Sequence, residues 1–293
     1  MNSQLTIFEN ELITGHPKRI VNVASVPQRS PFRYPGGKTW LVPTIRKWLI
    51  NSQSVKELIE PFAGGGIIGL TAAFEKLANH VTLAEIDDEI AAVWEVILSD
   101  SNEWLANKIH DFELTSENIK RELDNPNKTL QDIAFCTILK NRIFHGGIIT
   151  KGSGLIKNGE NGKGIHSRWY PKTLRDRIIS IKYIRNSISF IRGDAFEIIE
   201  SNLANKDIYF FIDPPYTIAG KRLYTHFEVD NDRLFQLISR SKGNYLMTYD
   251  DSGEIRDLIK KNNLNFRTIE MKTTHHLKKS EIIISNNFSW WDK

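Results

Sequence analysis

The run Ile208 to Ile212, IYFFI, is the feature that most restricts the fold. Five adjacent apolar residues cannot alternate between a buried and a wet face, so a strand built from them is covered on both sides. Such strands belong to largely parallel sheets with helices against each face. The run is closed by Asp213, Pro214, Pro215 and Tyr216. Each proline fixes its own φ and lacks an amide hydrogen, and Asp213, standing before a proline, is held extended. A stiff turn bearing a carboxylate, spare carbonyls and an aromatic ring therefore ends a buried strand.

The rest of the chain supports that architecture. VKELIE (55 to 60), HVTLAE (80 to 85), SISFIRG, NYLMTYD, FRTIEM and EIIISN also read as strands. Helical spacing follows in IIGLTAAFEKLA, after Glu85 with Ile90, Val93, Trp94 and Ile97 on one side, and near 196–203, 231–241 and 254–261. The pattern predicts an α/β fold with a mostly parallel sheet. The last two strands, joined by a short connection, are expected to form an antiparallel hairpin at an edge. The alternation breaks between about 100 and 188, where HGGIITKGSGLIKNGENGKGIHSRWYP carries the turn signals Asn158-Gly159 and Asn161-Gly162. Residues 101–188 are thus expected to be a smaller, mainly helical inserted domain with a hairpin loop. Residues 31–100 and 189–293 form the main domain, and residues 1–30 an N-terminal arm.

Charge points to a partner. The net charge is only +4, but residues 85 to 132 hold 13 acids against 4 Lys or Arg, while 139 to 192 hold 12 Lys or Arg against 2 acids. Such asymmetry suits a polyanion meeting the insert, with Arg142, His145, Lys151, Lys157, Lys163 and Arg168 as candidate contacts. No stretch of eighteen apolar residues is present, so no membrane span is expected. The lone Cys136 excludes an internal disulfide and a cysteine-rich metal site, and is read as a buried structural thiol in a reducing cytoplasm.

Three more stretches carry site chemistry. Gly64, Gly66 and Gly69 satisfy G-x-G-x-x-G after a strand, and Glu85 lies 21 residues beyond Gly64 at the next strand's end. Missing side chains let a cofactor approach the backbone while the acid takes ribose hydroxyls. A nicotinamide cofactor and S-adenosylmethionine both carry an adenosine ribose, and this motif alone does not choose between them. Tyr34 and Lys38, before a helix, suit a carboxylate. Asp194 and Phe196 in RGDAFEII could take an adenine ring, with a simple helix cap as the competing reading of Asp194. At the rigid turn, the Asp213 carboxylate and the Pro214 carbonyl can both accept from one amino group, with Tyr216 stacked on the attached ring.

In this order, RYPGGK, IEPFAGGG, LAEID, GDAF, DPPY, NYLMTYDDS and EIIISN resemble the DNA adenine methylase family, over most of the chain. The resemblance implies a Rossmann-like methyltransferase fold with a seven-stranded sheet. It implies site-specific transfer of a methyl group from S-adenosylmethionine to the N6 of an adenine flipped out of double-stranded DNA, leaving S-adenosylhomocysteine. It assigns Tyr34 and Lys38 to the methionine end of the cofactor, and Phe62, Ala63, Gly64 and Gly66 to its loop. Glu85 with Ile86 would meet the ribose, Asp194, Ala195 and Phe196 the adenine, and Asp213, Pro214, Pro215 and Tyr216 the target base. A cognate restriction endonuclease sharing the site, a monomer or homodimer, and a nucleoid-associated cytoplasmic life in a bacterium or phage are further expectations. No metal is expected. Glu85 stands where the family more often has Asp. After LKNRIFHGG the chain departs from the Asn/Arg-rich hairpin of GATC-recognising members, leaving the recognition sequence open.

Overall fold

Seven strands make one sheet in the computed structural model, which describes residues 25–33, 37–52, 54–150, 153–215, 229–272 and 278–292. They are β1 (Glu57–Glu60), β2 (His80–Glu85), β3 (Ile188–Arg192), β4 (Ile208–Ile212), β5 (Asn244–Asp250), β6 (Phe266–Lys272) and β7 (Lys278–Ser285). Their order is β3-β2-β1-β4-β5-β7-β6, with every pair parallel except those that β7 makes with β5 and β6. The expected antiparallel hairpin is present at one edge, and its second strand is the inner one.

The pleat sorts the strand residues into two cores. Leu58, Tyr209, Phe211 and Leu246 face one side, packed with α1 (Val42–Ile50), α2 (Ile67–Phe74) and α3 (Asp88–Leu98). Ile59, Ile208, Phe210, Ile212 and Met247 face the other, under α8 (Ala195–Asn202), α9 (Asn231–Ser239) and α10 (Gly253–Lys261). That split explains the unbroken run in β4, which lies between β1 and β5 with every residue buried. β3 is at the edge and correspondingly wetter, with Ile191 exposed.

Residues 101–188 supply α4 (Asn102–Asp111), α5 (Ser116–Asp124), α6 (Leu130–Ile143) and α7 (Pro171–Lys182). Leu105, Ile119, Ile138 and Ile178 are buried in the same apolar cluster as α1, α2 and α3. The insert is mainly helical, as expected, but continues the first core instead of enclosing its own. Among the described residues its hairpin is one bridge long, Phe144 opposite Leu155. His145 N–H, donating to the Gly154 carbonyl at 3.0 Å, and Ile156 N–H, donating to that of Ile143 at 2.8 Å, extend it.

Of the expected N-terminal arm, residues 1–24 lie outside the described residues; beyond them Val26 and Phe32 are buried, Phe32 against the Trp94 ring at 6.2 Å. Cys136 is buried, its thiol pushed up to about 11 by burial, in line with a structural role. Trp290 and Trp291 tuck the C-terminal segment against the first core. Among the described residues no helix is long and apolar enough to cross a membrane.

Candidate active site

Strand order reverses between β1 and β4: the chain runs outward through β2 and β3 on one side and through β4 and β5 on the other. In an open α/β sheet, ligands settle outside the carboxyl ends of the strands at such a switch point. The residues that follow β1, β2, β3 and β4 are the glycine loop, Ile86, Asp194 and Asp213. Register places Ile59 of β1 beside Phe210 of β4, so the loop and the acid–proline turn leave adjacent strands. A cavity of about 550 Å³ opens there, walled by Phe62, Gly64, Glu85, Asp194, Phe196 and Asp213 among others. Glu85 and Asp213, far apart in sequence, thus share one chamber.

The glycine bend is held by its surroundings. Gly66 precedes α2 with φ of +58°, and a Cβ there would lie 2.8 Å from Cζ2 of Trp94. The same indole donates to the Gly64 carbonyl at 2.9 Å. At Gly69 a Cβ would come within 2.8 Å of Glu60 Oε2, which instead accepts the Gly69 N–H at 2.7 Å.

Glu85 accepts from Gly64 N–H at 3.0 Å, Ile86 N–H at 2.9 Å and Asp87 N–H at 3.0 Å. These bonds aim the carboxylate and tie the loop to the end of β2. Burial, with the nearby Asp87 charge, nonetheless holds its carboxyl above the ordinary value. Asp194 caps α8, its Oδ1 accepting the Phe196 N–H at 2.7 Å, so the plain helix-cap reading is present in a residue that also lines the cavity. Ala195 and Ile86 line it as well, and Arg233 lies over the Phe196 ring at 4.9 Å.

Lys38 has a protein partner within the cavity. It lines the cavity, yet its ammonium is 2.9 Å from Asp213 Oδ1 and 3.9 Å from Glu281 Oε2. Burial alone would lower this lysine; Asp213, Glu281 and Asp250 outweigh it and hold the ammonium above its usual value. Lys38 thus lies in the cavity expected to hold the cofactor and is there ion-paired with the acid of the turn. Thr248 of β5 donates its hydroxyl to the same Asp213 oxygen at 2.8 Å.

Arg142, expected among the DNA contacts, is 5% exposed and reaches the Pro31 carbonyl at 2.6 Å. α6 turns the side chain into the cavity wall. Burial and the charges of Arg177, Arg33 and Arg168 pull its guanidinium down to about 9, still charged at neutral pH. His145, Lys157 and Lys163 are exposed and Arg168 is half-buried. Pro214 is buried and Pro215 lines the cavity. Tyr34, Lys151 and Tyr216 lie outside the described residues.

Sequence reasoning passed over Glu60, Trp94, Thr248 and Arg177. Glu60 was the most findable, being an acid at the end of an apolar strand before Pro61. It lines the cavity fully buried, and desolvation, with Asp213 nearby, pushes its carboxyl up to about 8.

The strand order, with its antiparallel strand inside the edge and a crevice at the switch point, is that of a Rossmann-like methyltransferase fold. Within it, residues 34–133 match the family described as D12 class N6 adenine-specific DNA methyltransferase, the family that the motifs resemble. A curated relative, the type II methyltransferase M.MjaIII of Methanocaldococcus jannaschii, is 23% identical over 229 residues, 71% of this chain and 77% of its own. Among solved structures, the rRNA methyltransferase AviRa from Streptomyces viridochromogenes aligns at TM-score 0.41 and 10% identity, covering 92% of this chain and 95% of that one. A SAM-dependent methyltransferase from Agrobacterium tumefaciens aligns at 0.39 and 11%, covering 85% and 60%. The fold rests on the strand order and not on these distant likenesses.

Proposed function

We propose that the chain is a site-specific DNA adenine methyltransferase that moves a methyl group from S-adenosylmethionine to the N6 of an adenine flipped out of a short double-stranded site, within or descended from a restriction–modification system. The observation that carries this reading is the shared cavity, in which Glu85 and Asp213 face one volume from the ends of strands in the same parallel array. Its size suits a bound nucleoside, and Gly64, Gly65 and Gly66 of the loop line it. The donor set fits as well: Glu85 offers hydroxyl-accepting oxygens, Phe196 a flat apolar face and Asp194 an acceptor.

S-adenosylmethionine would bring an electrophilic sulfonium methyl. The chain's own part is to hold and polarise the amine that receives it. Asp213 and the Pro214 carbonyl accept hydrogen bonds from the exocyclic amino group, loosening its lone pair from the ring and stabilising the positive charge that grows on nitrogen. The adenine must leave the stack to reach this depth. The exposed Lys157 and Lys163 suit phosphate contacts, whereas Arg142 and Arg177 would act inside the chamber.

The test is to incubate the protein with labelled S-adenosylmethionine and duplex DNA, then separate the nucleosides. N6-methyladenine is expected, with loss of at least about 1,000-fold in rate for Asp213→Ala at retained cofactor binding. Label in cytosine, in protein only, or nowhere would sink the proposal.

A further inference from the structure

Five ionisable side chains from separate segments converge on the turn. Lys38 opens the 3-10 turn before α1, Glu60 ends β1, Asp250 ends β5, Glu281 lies in the middle of β7, and Asp213 follows β4. Four are acids, and Lys38 is the cation that meets Asp213 and Glu281. Asp213 Oδ1 takes both the Lys38 ammonium at 2.9 Å and the Thr248 hydroxyl at 2.8 Å. Both partners are sealed: Lys38 is 4% and Thr248 0% exposed. Tyr249 beside Thr248 is also buried, and its hydroxyl goes elsewhere, to Asn231 at 2.7 Å.

We infer that Lys38 and Thr248 are positioning residues for Asp213: two donors on one oxygen fix the rotation of the carboxylate and its charge for the amine of the target base. The inference rests on the proposed function and adds two residues to it. A carboxylate after two flexible torsions, in a pocket with three other acids, would otherwise turn away. Two converging donors from different elements, one cationic, remove that freedom. Thr248 can do this because β5 is the parallel neighbour of β4, with Met247 paired to Ile212, which puts residue 248 level with Asp213. This reading differs from one in which Lys38 grips the cofactor's carboxylate.

Single-turnover methyl transfer at saturating S-adenosylmethionine and DNA separates the two. Thr248→Val, of equal shape, should slow the transfer roughly 10- to 100-fold, the range for losing a hydrogen bond to a charged group, with dissociation constants for cofactor and DNA unchanged. Thr248→Ser, which keeps the hydroxyl, should restore the rate to within about threefold of wild type. Lys38→Met should slow the same step with the dissociation constant for the cofactor unchanged, because Asp213 loses its cationic donor at 2.9 Å. The inference is overturned if Thr248→Val transfers at the wild-type rate, or if the defect of Lys38→Met lies wholly in cofactor affinity. An active wild type with unaffected variants defeats this inference alone; a wild type that transfers no methyl to DNA defeats the proposed function with it.

Discussion

Glu60 illustrates how a single side chain can report on the chamber around it. Its carboxyl is raised from 4.5 to about 8, so the folded protein holds it protonated at neutral pH while the unfolded chain ionises it. The sign follows: this group's contribution is fully present below about pH 4.5 and is lost as the pH rises to about 8, at roughly 1.4 kcal/mol per pH unit. Glu60→Gln should flatten that decline. Denaturant unfolding of both proteins from pH 4 to 9 measures it, and parallel curves would contradict it. The same carboxyl should ionise when a cation is seated in the cavity. Binding of S-adenosylmethionine near pH 7 is therefore expected to release a proton, read by calorimetry in buffers of different ionisation enthalpy.

The glycine bend is the element whose geometry is hardest to alter. Gly66→Ala adds a Cβ at φ +58° and 2.8 Å from the Trp94 ring, and should cost about 1–3 kcal/mol of stability along with cofactor affinity. Trimming the indole in a Gly66→Ala/Trp94→Phe double variant should recover part of the loss, a coupling that a double-mutant cycle in thermal unfolding would detect. Elements of this kind were largely legible beforehand. The apolar runs of β1, β2 and β4, the bend after β1 and the acid after β4 are local patterns, and local patterns survive in sequence. Trp94 under the bend, and Thr248 and Lys38 on Asp213, were not. Each depends on which strand lies beside which, a fact that exists only once the sheet has assembled. The burial of Arg142 was hidden for the same reason: charge composition locates a basic region but cannot say which of its arginines α6 turns inward.

For the whole molecule, the helices of residues 101–188 and the sheet's first face share one apolar cluster. Heat or denaturant should therefore unfold the chain in one transition, with tryptophan fluorescence and circular dichroism coinciding; separated midpoints would argue for independent units. The exposed lysines of the loop offer a second whole-molecule test. Replacing Lys157 and Lys163 by Gln should lower the slope of log affinity for DNA against log salt by about 0.9 for each phosphate left without its lysine, with little change in the rate of bound complexes. The shared core also decides where the insert can be exchanged. A cassette cut at residues 101 and 188 would carry away Leu105, Ile138 and Ile178 and leave α3 without its cover. Exchanges between α6 and α7 that keep Phe144, Ile149, Ile165 and Trp169, which pack on that core, would leave intact what keeps the protein folded.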